Sequence, residues 1–109
     1  MKQLIDYIDK IAKLDDEAVR ALYELAEIET YQKNQHILEQ GKRCNKIWFL
    51  KSGMVRKYYI LDGKEITNWI HTENDIFTSL QSYAQNSPSC EYLQACEDTE
   101  TISITRQNS

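Results

Sequence analysis

Residues that could hold a metal ion or carry out a reaction are few and widely spaced. The three cysteines, Cys44, Cys90 and Cys96, lack the C-x-x-C spacing of a zinc site or a redox pair. The two histidines, His36 and His71, lack the close His-x-His pair with which ligands converge from adjacent strands in a metal enzyme built on a small β-barrel. An iron–sulfur cluster needs about four thiolates. No metal or cofactor is therefore expected.

Other catalytic motifs are also missing from the sequence. It contains neither a G-x-S-x-G nucleophile turn nor a glycine-rich loop that would cradle a phosphate. The acidic pairs Asp15-Asp16 and Glu97-Asp98 fit a helix start and a turn better than a general acid and base. We expect a protein that is not an enzyme.

Cys44 is the cysteine whose surroundings suggest chemistry. Lys42, Arg43 and Lys46 are close to it in the sequence and would favour its thiolate if they were also close in space. A redox-sensing thiol is one interpretation, and a reduced, unpaired cysteine is the favoured one.

Length and composition indicate a single water-soluble domain. The 109 residues are 41% hydrophobic and 28% charged, which is typical of one globular unit. No apolar run approaches the ~20 residues of a membrane span, and the N-terminus lacks the apolar core of a signal peptide. A cytoplasmic location without membrane contact is the expectation.

The net charge of −4 argues against nucleic-acid binding by these residues. Alternation along strands would divide the local basic cluster between two faces, so a solvated surface is favoured for its members, Lys42, Arg43, Lys46, Lys51, Arg56 and Lys57.

Two kinds of periodicity divide the chain. Apolar residues recur at helical spacing near the N-terminus, at Leu4, Ile5, Ile8, Ile11 and Ala12. A second helix is expected to begin at an aspartate N-cap at position 15. No Gly or Pro interrupts residues 1–40. We therefore predict a helical segment over residues 1–33 and a β-structured domain over residues 34–109, the two forming one structural unit.

The three glycines, Gly41, Gly53 and Gly63, mark turns between short apolar runs. Asp62-Gly63 is a strong hairpin signal because a type I′ turn needs positive φ at its central residues. The predicted strands cover residues 36–38, 46–51, 55–61, 65–71, 91–95 and 100–105, with a short helix at 78–83. The fold class predicted is α+β, mainly β: N-terminal helices followed by an antiparallel β-roll or jelly-roll barrel.

An ordered set of short motifs resembles a known family. These are I-L-x-x-G-K (Ile37 to Lys42), I-W-F-L-K-S-G-M-V-R-K-Y-Y (Ile47 to Tyr59), D-G-K-E-I (Asp62 to Ile66) and N-D-I-F (Asn74 to Phe77). Together they resemble the cyclic-nucleotide-binding sensor domain of the Crp/Fnr transcription regulators, over roughly residues 12–107. The resemblance implies that fold and a ligand site between two strands of the roll.

The family's cassette reads F-x-G-E-L, then about ten residues, then R-[S/T]-A. Its glutamate binds the ribose, and its arginine pairs with the cyclic phosphate. Laid on this chain without gaps, the resemblance puts Thr78 and Ser79 at the Gly-Glu positions, retains Leu80, and puts Ser89 and Cys90 at the Arg-Ser positions. With the preceding phenylalanine, the implied site residues are Phe77, Thr78, Ser79, Leu80, Ser89 and Cys90. The charged pair is replaced, and cyclic AMP binding is expected to be weak or absent.

The function implied is a ligand-sensing regulatory domain with a degenerate cassette and a small-molecule effector other than cyclic AMP. Relatives carry a dimerisation helix and a helix-turn-helix beyond the roll, so a homodimer is conceivable and DNA contact is expected only through a C-terminal module absent from these residues. One alternative is a ligand-free interaction or dimerisation module, recognisable if several of Trp48, Tyr58, Tyr59 and Trp69 are exposed together. The other is a cupin-like enzyme.

Overall fold

The structure is a computed structural model that describes residues 2–3, 5–6 and 15–106. The two short stretches before residue 15 have helical backbone, and the rest of the first predicted helix lies outside the described residues. The later elements are, in chain order, α1 (Asp16–Leu25), β1 (Ala26–Tyr31), β2 (His36–Leu38), β3 (Lys46–Ser52), β4 (Val55–Leu61), β5 (Lys64–His71), β6 (Ile76–Phe77), α2 (Leu80–Gln85), β7 (Tyr92–Ala95) and β8 (Thr99–Thr105).

Helix α1 begins directly after Asp15, as the N-cap prediction implies. The backbone N–H of Val19 donates to the carbonyl oxygen of Asp15 at 3.1 Å, and Asp16 and Glu17 place negative charge in the first turn, where the helix dipole favours it. No helix among these residues is long and apolar enough to cross a lipid bilayer.

The helical segment predicted for residues 1–33 is wrong from Ala26 onwards. Strand β1 begins there and pairs antiparallel with β8, from Ala26 opposite Ile104 to Tyr31 opposite Thr99. Alanine and glutamate are good helix formers, but the pairing with a distant strand overrides that local preference. Because β1 belongs to the first sheet, the helical part that the structure describes ends at Leu25.

The strands form two four-stranded antiparallel sheets. Sheet A has the order β1-β8-β3-β6, and sheet B has the order β2-β7-β4-β5. They make an open roll and not a closed barrel, since no pairing joins the edge strands of one sheet to those of the other among the described residues. The prediction of a mainly β, antiparallel roll is confirmed, and each predicted strand is present within about two residues of its expected bounds.

The core lies between the two sheets. Ile37 and Tyr83 pack there against seven residues whose side chains are buried. These seven are Leu38, Cys44, Trp48, Leu50, Val55, Phe77 and Leu93. Burial of such apolar surface contributes roughly 25 cal/mol per Å². Because the core also contains Phe77, the last residue of β6, it fixes the point at which the segment between β6 and β7 begins.

Glycines shape two turns of the roll, the β4–β5 hairpin and the turn that carries the chain from β3 in sheet A to β4 in sheet B. Asp62 (φ 53°) and Gly63 (φ 77°) have the positive φ values of a type I′ turn, which pairs Leu61 with Lys64. Gly53 (φ 107°) turns β3 into β4, and a Cβ atom there would lie 2.8 Å from the carbonyl oxygen of Asp98. The glycine therefore allows two backbone segments to approach closely.

Candidate functional site

The cassette predicted from the sequence lies between β6 and β7 and is bound to the β2–β3 loop (residues 39–45) by main-chain hydrogen bonds. The N–H of Gly41 donates to the carbonyl of Ser89, and the N–H of Ser89 donates to the carbonyl of Lys42, both at 2.8 Å. Arg43 and Pro88 form an isolated bridge beside them. These bonds hold the end of the cassette in place whatever side chains it carries.

Ser79 and Ser89, the residues at the positions of the family's glutamate and arginine, are brought together. Their side chains are only 2% and 3% exposed, and their hydroxyl oxygens are 3.2 Å apart. The Ser79 hydroxyl donates to the Glu91 carboxylate at 3.0 Å. The Ser89 hydroxyl donates to the Glu91 carbonyl at 2.8 Å and accepts the N–H of Glu91 at 3.1 Å. The cluster thus satisfies its own buried polar groups.

Glu91 supplies the carboxylate of this cluster, and no cation pairs with it among the described residues. Arg106, the one arginine near the end of the chain, instead places its guanidinium 4.1 Å from the ring centroid of Tyr83, a cation–π contact. The site therefore presents negative charge where the family presents positive charge.

Thr78 and Cys44 connect the start of the cassette to β3. The Thr78 hydroxyl donates to the carbonyl of Lys46 at 2.8 Å and lies 3.2 Å from the Cys44 sulfur. Cys44 is buried, and its thiol also lies 3.4 Å from the Lys46 carbonyl. Thr78 acts here as a structural link, and burial shields the thiol from solvent oxidants. Its redox role stays a prediction.

The other predicted site residues diverge. Phe77 belongs to the core, where its ring stacks on Trp48 with centroids 5.5 Å apart and on His71 with centroids 5.1 Å apart. Leu80 is 69% exposed at the start of α2, and Cys90 is also exposed. The six predicted residues therefore comprise a core residue, three hydrogen-bonding residues and two surface residues.

The cavity at the cassette is small. It measures about 70 Å³ and is lined by Ser79, Gln81, Ser82, Pro88, Cys90 and Glu91. Small-molecule sites usually measure roughly 300–1,000 Å³, and a water molecule takes up about 30 Å³ of liquid. In this arrangement the cavity has room for one or two waters and not for a nucleotide.

Ser82 and Glu29 are two polar residues of this region that the sequence did not single out. The hydroxyl of Ser82, buried in α2, accepts the N–H of Cys44 at 2.9 Å and donates to the carbonyl of Ser87. Nothing in the sequence distinguishes this serine from its neighbours. Glu29 was obscured by the helical interpretation of residues 26–31, although its alternation with Ile28 and Thr30 is a strand signal.

Glu29 gathers three donors on the inner face of sheet A. Its carboxylate accepts from Lys46 Nζ at 2.7 Å, from the Tyr31 hydroxyl at 3.1 Å and from Trp48 Nε1 at 3.3 Å. Burial acts to raise the pKa of Glu29, but the hydrogen bond and charge of Lys46, together with neighbouring hydroxyl donors, outweigh burial and lower that pKa. Burial and the Glu29 charge raise the pKa of Tyr31 to about 12. Near neutral pH the Glu29 carboxylate is therefore ionised and the Tyr31 hydroxyl keeps its proton, so the hydrogen bond between them persists.

Metal binding has no evident site in the part of the chain that is described, because no group of three or more His, Cys, Asp or Glu side chains is placed to hold an ion. Among the aromatic residues considered as a contact patch, Trp48 and Tyr58 are buried and Trp69 is 60% exposed. Tyr59 is half-buried, so of these four rings Trp69 alone is exposed, and the joint exposure that would mark a contact patch is not found among them.

Two antiparallel sheets enclosing a core, with a helix-bearing segment between the sixth and seventh strands, define the β-roll class of ligand-binding domains. The sequence profile described as the cyclic nucleotide-binding domain matches residues 28–108. The chain belongs to the cyclic nucleotide-binding domain family, which confirms the resemblance at the level of this domain.

Solved structures show the same fold. The catabolite activator protein of Thermus thermophilus is 24% identical, with a TM-score of 0.74, over 88% of this chain and 45% of its own. The Toxoplasma gondii PKA regulatory domain, crystallised with cAMP, is 15% identical with a TM-score of 0.84, over 96% and 41%. A cAMP-independent protein kinase A regulatory subunit of Trypanosoma cruzi, bound to guanosine, is 16% identical with a TM-score of 0.78, over 96% and 40%.

The chain spans less than half the length of each of these three proteins. At these identities the likeness concerns the fold. No curated protein sequence matches the chain.

Proposed function

We propose that this chain is the ligand-sensing regulatory domain of a Crp/Fnr-type transcription regulator, and that its effector is not cyclic AMP. The family profile over residues 28–108 supports a small-molecule effector. The regulator would be cytoplasmic and non-enzymatic, would form a homodimer, and would contact DNA through a module outside these residues. The sequence identity of 24% to the catabolite activator protein of Thermus thermophilus, against 15% to the Toxoplasma gondii PKA regulatory domain, supports the transcriptional context.

The observation that carries the effector proposal is the Ser79–Ser89–Glu91 cluster. The cluster replaces a cation with hydroxyls and adds a carboxylate that accepts from Ser79 at 3.0 Å. Two like charges 4 Å apart repel by about 4 kcal/mol at an effective dielectric constant of 20, and about 1.4 kcal/mol is a factor of ten in affinity. A cyclic phosphate at this site would therefore lose both its partner and a large part of its affinity.

An uncharged nucleoside suits such a site better than a nucleotide. A carboxylate can accept hydrogen bonds from ribose hydroxyls, and it repels no neutral ligand. The Trypanosoma cruzi relative, described as cAMP-independent and bound to guanosine, shows that this fold can hold a neutral nucleoside. In this chain the cavity of about 70 Å³ would have to widen, with Gln81 and Cys90, two exposed residues of its lining, moving at the surface.

Calorimetric titration of the chain with cyclic AMP and with guanosine tests the proposal. We expect no cyclic AMP binding at micromolar concentration and tighter binding of guanosine. Glu91→Gln removes the repelling charge and should raise the affinity for cyclic AMP while leaving guanosine affinity less affected. Glu97→Gln, at an exposed glutamate in the β7–β8 turn, is the matched control. Micromolar cyclic AMP affinity in the unmodified chain would refute the proposal.

A ligand-free interaction module is the second candidate, favoured by the β4–β5 hairpin. Ile60, Leu61, Trp69 and Ile70 are all exposed along this hairpin, and exposed apolar surface of this kind is where a partner could dock. Sedimentation velocity of the chain and of Trp69→Ser separates the candidates. A dimer that the substitution dissociates, together with no nucleoside binding, would favour the interaction module.

A further inference from the structure

A second cavity, larger than the one at the cassette, opens between the edge strands β1 and β2 and the β2–β3 loop. It measures about 280 Å³, and its lining includes Tyr31, Leu38, Lys42, Arg43, Lys46 and Trp48. This edge cavity is about four times the volume of the cassette cavity (280 against 70 Å³). Its size is close to the lower limit of roughly 300 Å³ for small-molecule sites.

The charges around the edge cavity leave one cation without a partner. Lys46 pairs with Glu29 at 2.7 Å, and Lys42 approaches Glu39 at 3.6 Å. The Arg43 side chain is exposed and has no hydrogen bond or ion pair within the described ranges. Three cations against two carboxylates leave one positive charge, which matches a ligand with one negative charge better than a dianionic phosphate.

Part of the wall behind this charge is aromatic and held in place, within a lining that is otherwise more polar than apolar. Leu38 and Trp48 are buried core residues, and Tyr31 contributes a second ring to the lining. Glu29 accepts hydrogen bonds from both the Tyr31 hydroxyl and the Trp48 indole N–H, so the two rings are held in place before any ligand arrives. Pre-organised rings favour a flat, apolar ligand because little side-chain entropy is lost on binding.

We propose that the edge cavity binds a small aromatic carboxylate, with its carboxylate group on Arg43 and its ring against the half-buried ring of Tyr31, beside the buried Trp48. Arginine is suited to this role because its planar guanidinium can pair with a carboxylate through two parallel hydrogen bonds. The proposal is independent of the effector proposed for the cassette, because it concerns a different cavity and a different ligand.

Occupancy of the edge cavity would be transmitted to the cassette through the β2–β3 loop. This loop carries Lys42 and Arg43 and is tied to the cassette by the reciprocal bonds of Gly41 and Lys42 with Ser89. A third bond joins Cys44 N–H to the Ser82 hydroxyl at 2.9 Å. A ligand that holds the loop therefore also holds the helix and the end of the segment between β6 and β7.

The test is a titration of the full chain with sodium benzoate in which a ¹H–¹⁵N correlation spectrum is recorded at each step. We expect saturable shifts of the amides at residues 42–46 and of the Trp48 indole N–H, with smaller shifts at Ser89. Benzamide, the neutral isostere, should bind much more weakly. Arg43→Ala should weaken benzoate binding by about tenfold to a hundredfold, as expected when a charged hydrogen-bond partner is removed. Arg20→Ala, at an exposed arginine on α1, should leave it unchanged.

Several results would overturn the proposal. These are no saturable shift at millimolar benzoate, equal binding of benzamide, or an unchanged affinity in Arg43→Ala. Tighter binding of phenyl phosphate than of benzoate would refute the single-charge argument. Shifts confined to the edge cavity, with none at Ser89, would refute the coupling to the cassette. Because both substituted arginines are exposed, neither variant is expected to unfold the protein.

Discussion

Replacing Gly53 with alanine should destabilise the roll far more than the same replacement at Gly63. Both glycines have positive φ, 107° and 77° respectively, so both alanines carry a conformational cost of about 1–2 kcal/mol. The larger difference between them is the space around each. A Cβ at position 63 meets no atom within 4 Å, whereas one at position 53 would lie 2.4 Å from Thr99 Oγ1 and 2.8 Å from the Asp98 carbonyl oxygen.

The clash at position 53 requires a backbone shift, because the carbonyl of Asp98 and the Cα of Thr99 are both 2.8 Å from the added atom. Overpacking of this kind costs about 1–3 kcal/mol. We therefore expect losses of about 2–5 kcal/mol for Gly53→Ala and about 1–2 kcal/mol for Gly63→Ala. Small domains have about 5–15 kcal/mol in total, so the first variant would be close to unfolding.

Urea denaturation followed by tryptophan fluorescence and by circular dichroism measures both losses. Gly63→Ala is the matched control because it isolates the conformational cost, and the difference between the two variants is the cost of the close approach at the β3–β4 turn. A difference of less than about 0.5 kcal/mol, the usual range of neutral surface substitutions, would refute the argument that Gly53 is required by its contact with the β7–β8 turn.

Two further predictions concern ionisable groups. Burial, with the charge of Lys57, lowers the pKa of His71, so as the pH falls the unfolded chain binds a proton at this histidine before the folded chain does. The free energy of unfolding should therefore drop from pH 7 to pH 5. His71→Phe should flatten that drop in urea titrations, and an unchanged slope would contradict the assignment. Glu29→Gln should lower the free energy of unfolding by about 1–2 kcal/mol, because it weakens the charge-assisted hydrogen bond from Lys46. Glu27→Gln, at an exposed position on the same strand, should leave the stability unchanged. Equal losses of stability for the two variants in thermal unfolding would argue against the Glu29 network.

Local chemistry explains what the sequence predicted well. The Asp62-Gly63 hairpin was predictable because its turn type depends on two residues alone. The strand at 101–105 was predictable because its side chains alternate between polar and apolar, a pattern that is visible within the strand itself. Strand β1 was mispredicted because its partner, β8, lies more than seventy residues later in the chain (Ala26 opposite Ile104). A pairing over that separation leaves no mark within a short window of sequence.

The cassette shows the same division between local and distant information. The resemblance located the segment and gave the two serines, which the structure places 3.2 Å apart. It did not reveal that Glu91 turns its carboxylate towards Ser79, nor that Ser82 holds the β2–β3 loop, because both depend on contacts across the fold. The edge cavity was equally hidden, since its lining comes from four separate elements, β1, β2, the β2–β3 loop and β3.

The reciprocal bonds between the β2–β3 loop and Ser89 have a consequence for evolution. They join main-chain atoms of Gly41, Lys42 and Ser89, so any residue except proline at position 89 can keep them. Amino-acid changes in the cassette can therefore alter ligand preference while the segment keeps its position. A lineage carrying this domain could lose, exchange or regain an effector by single substitutions, without first passing through an unfolded protein.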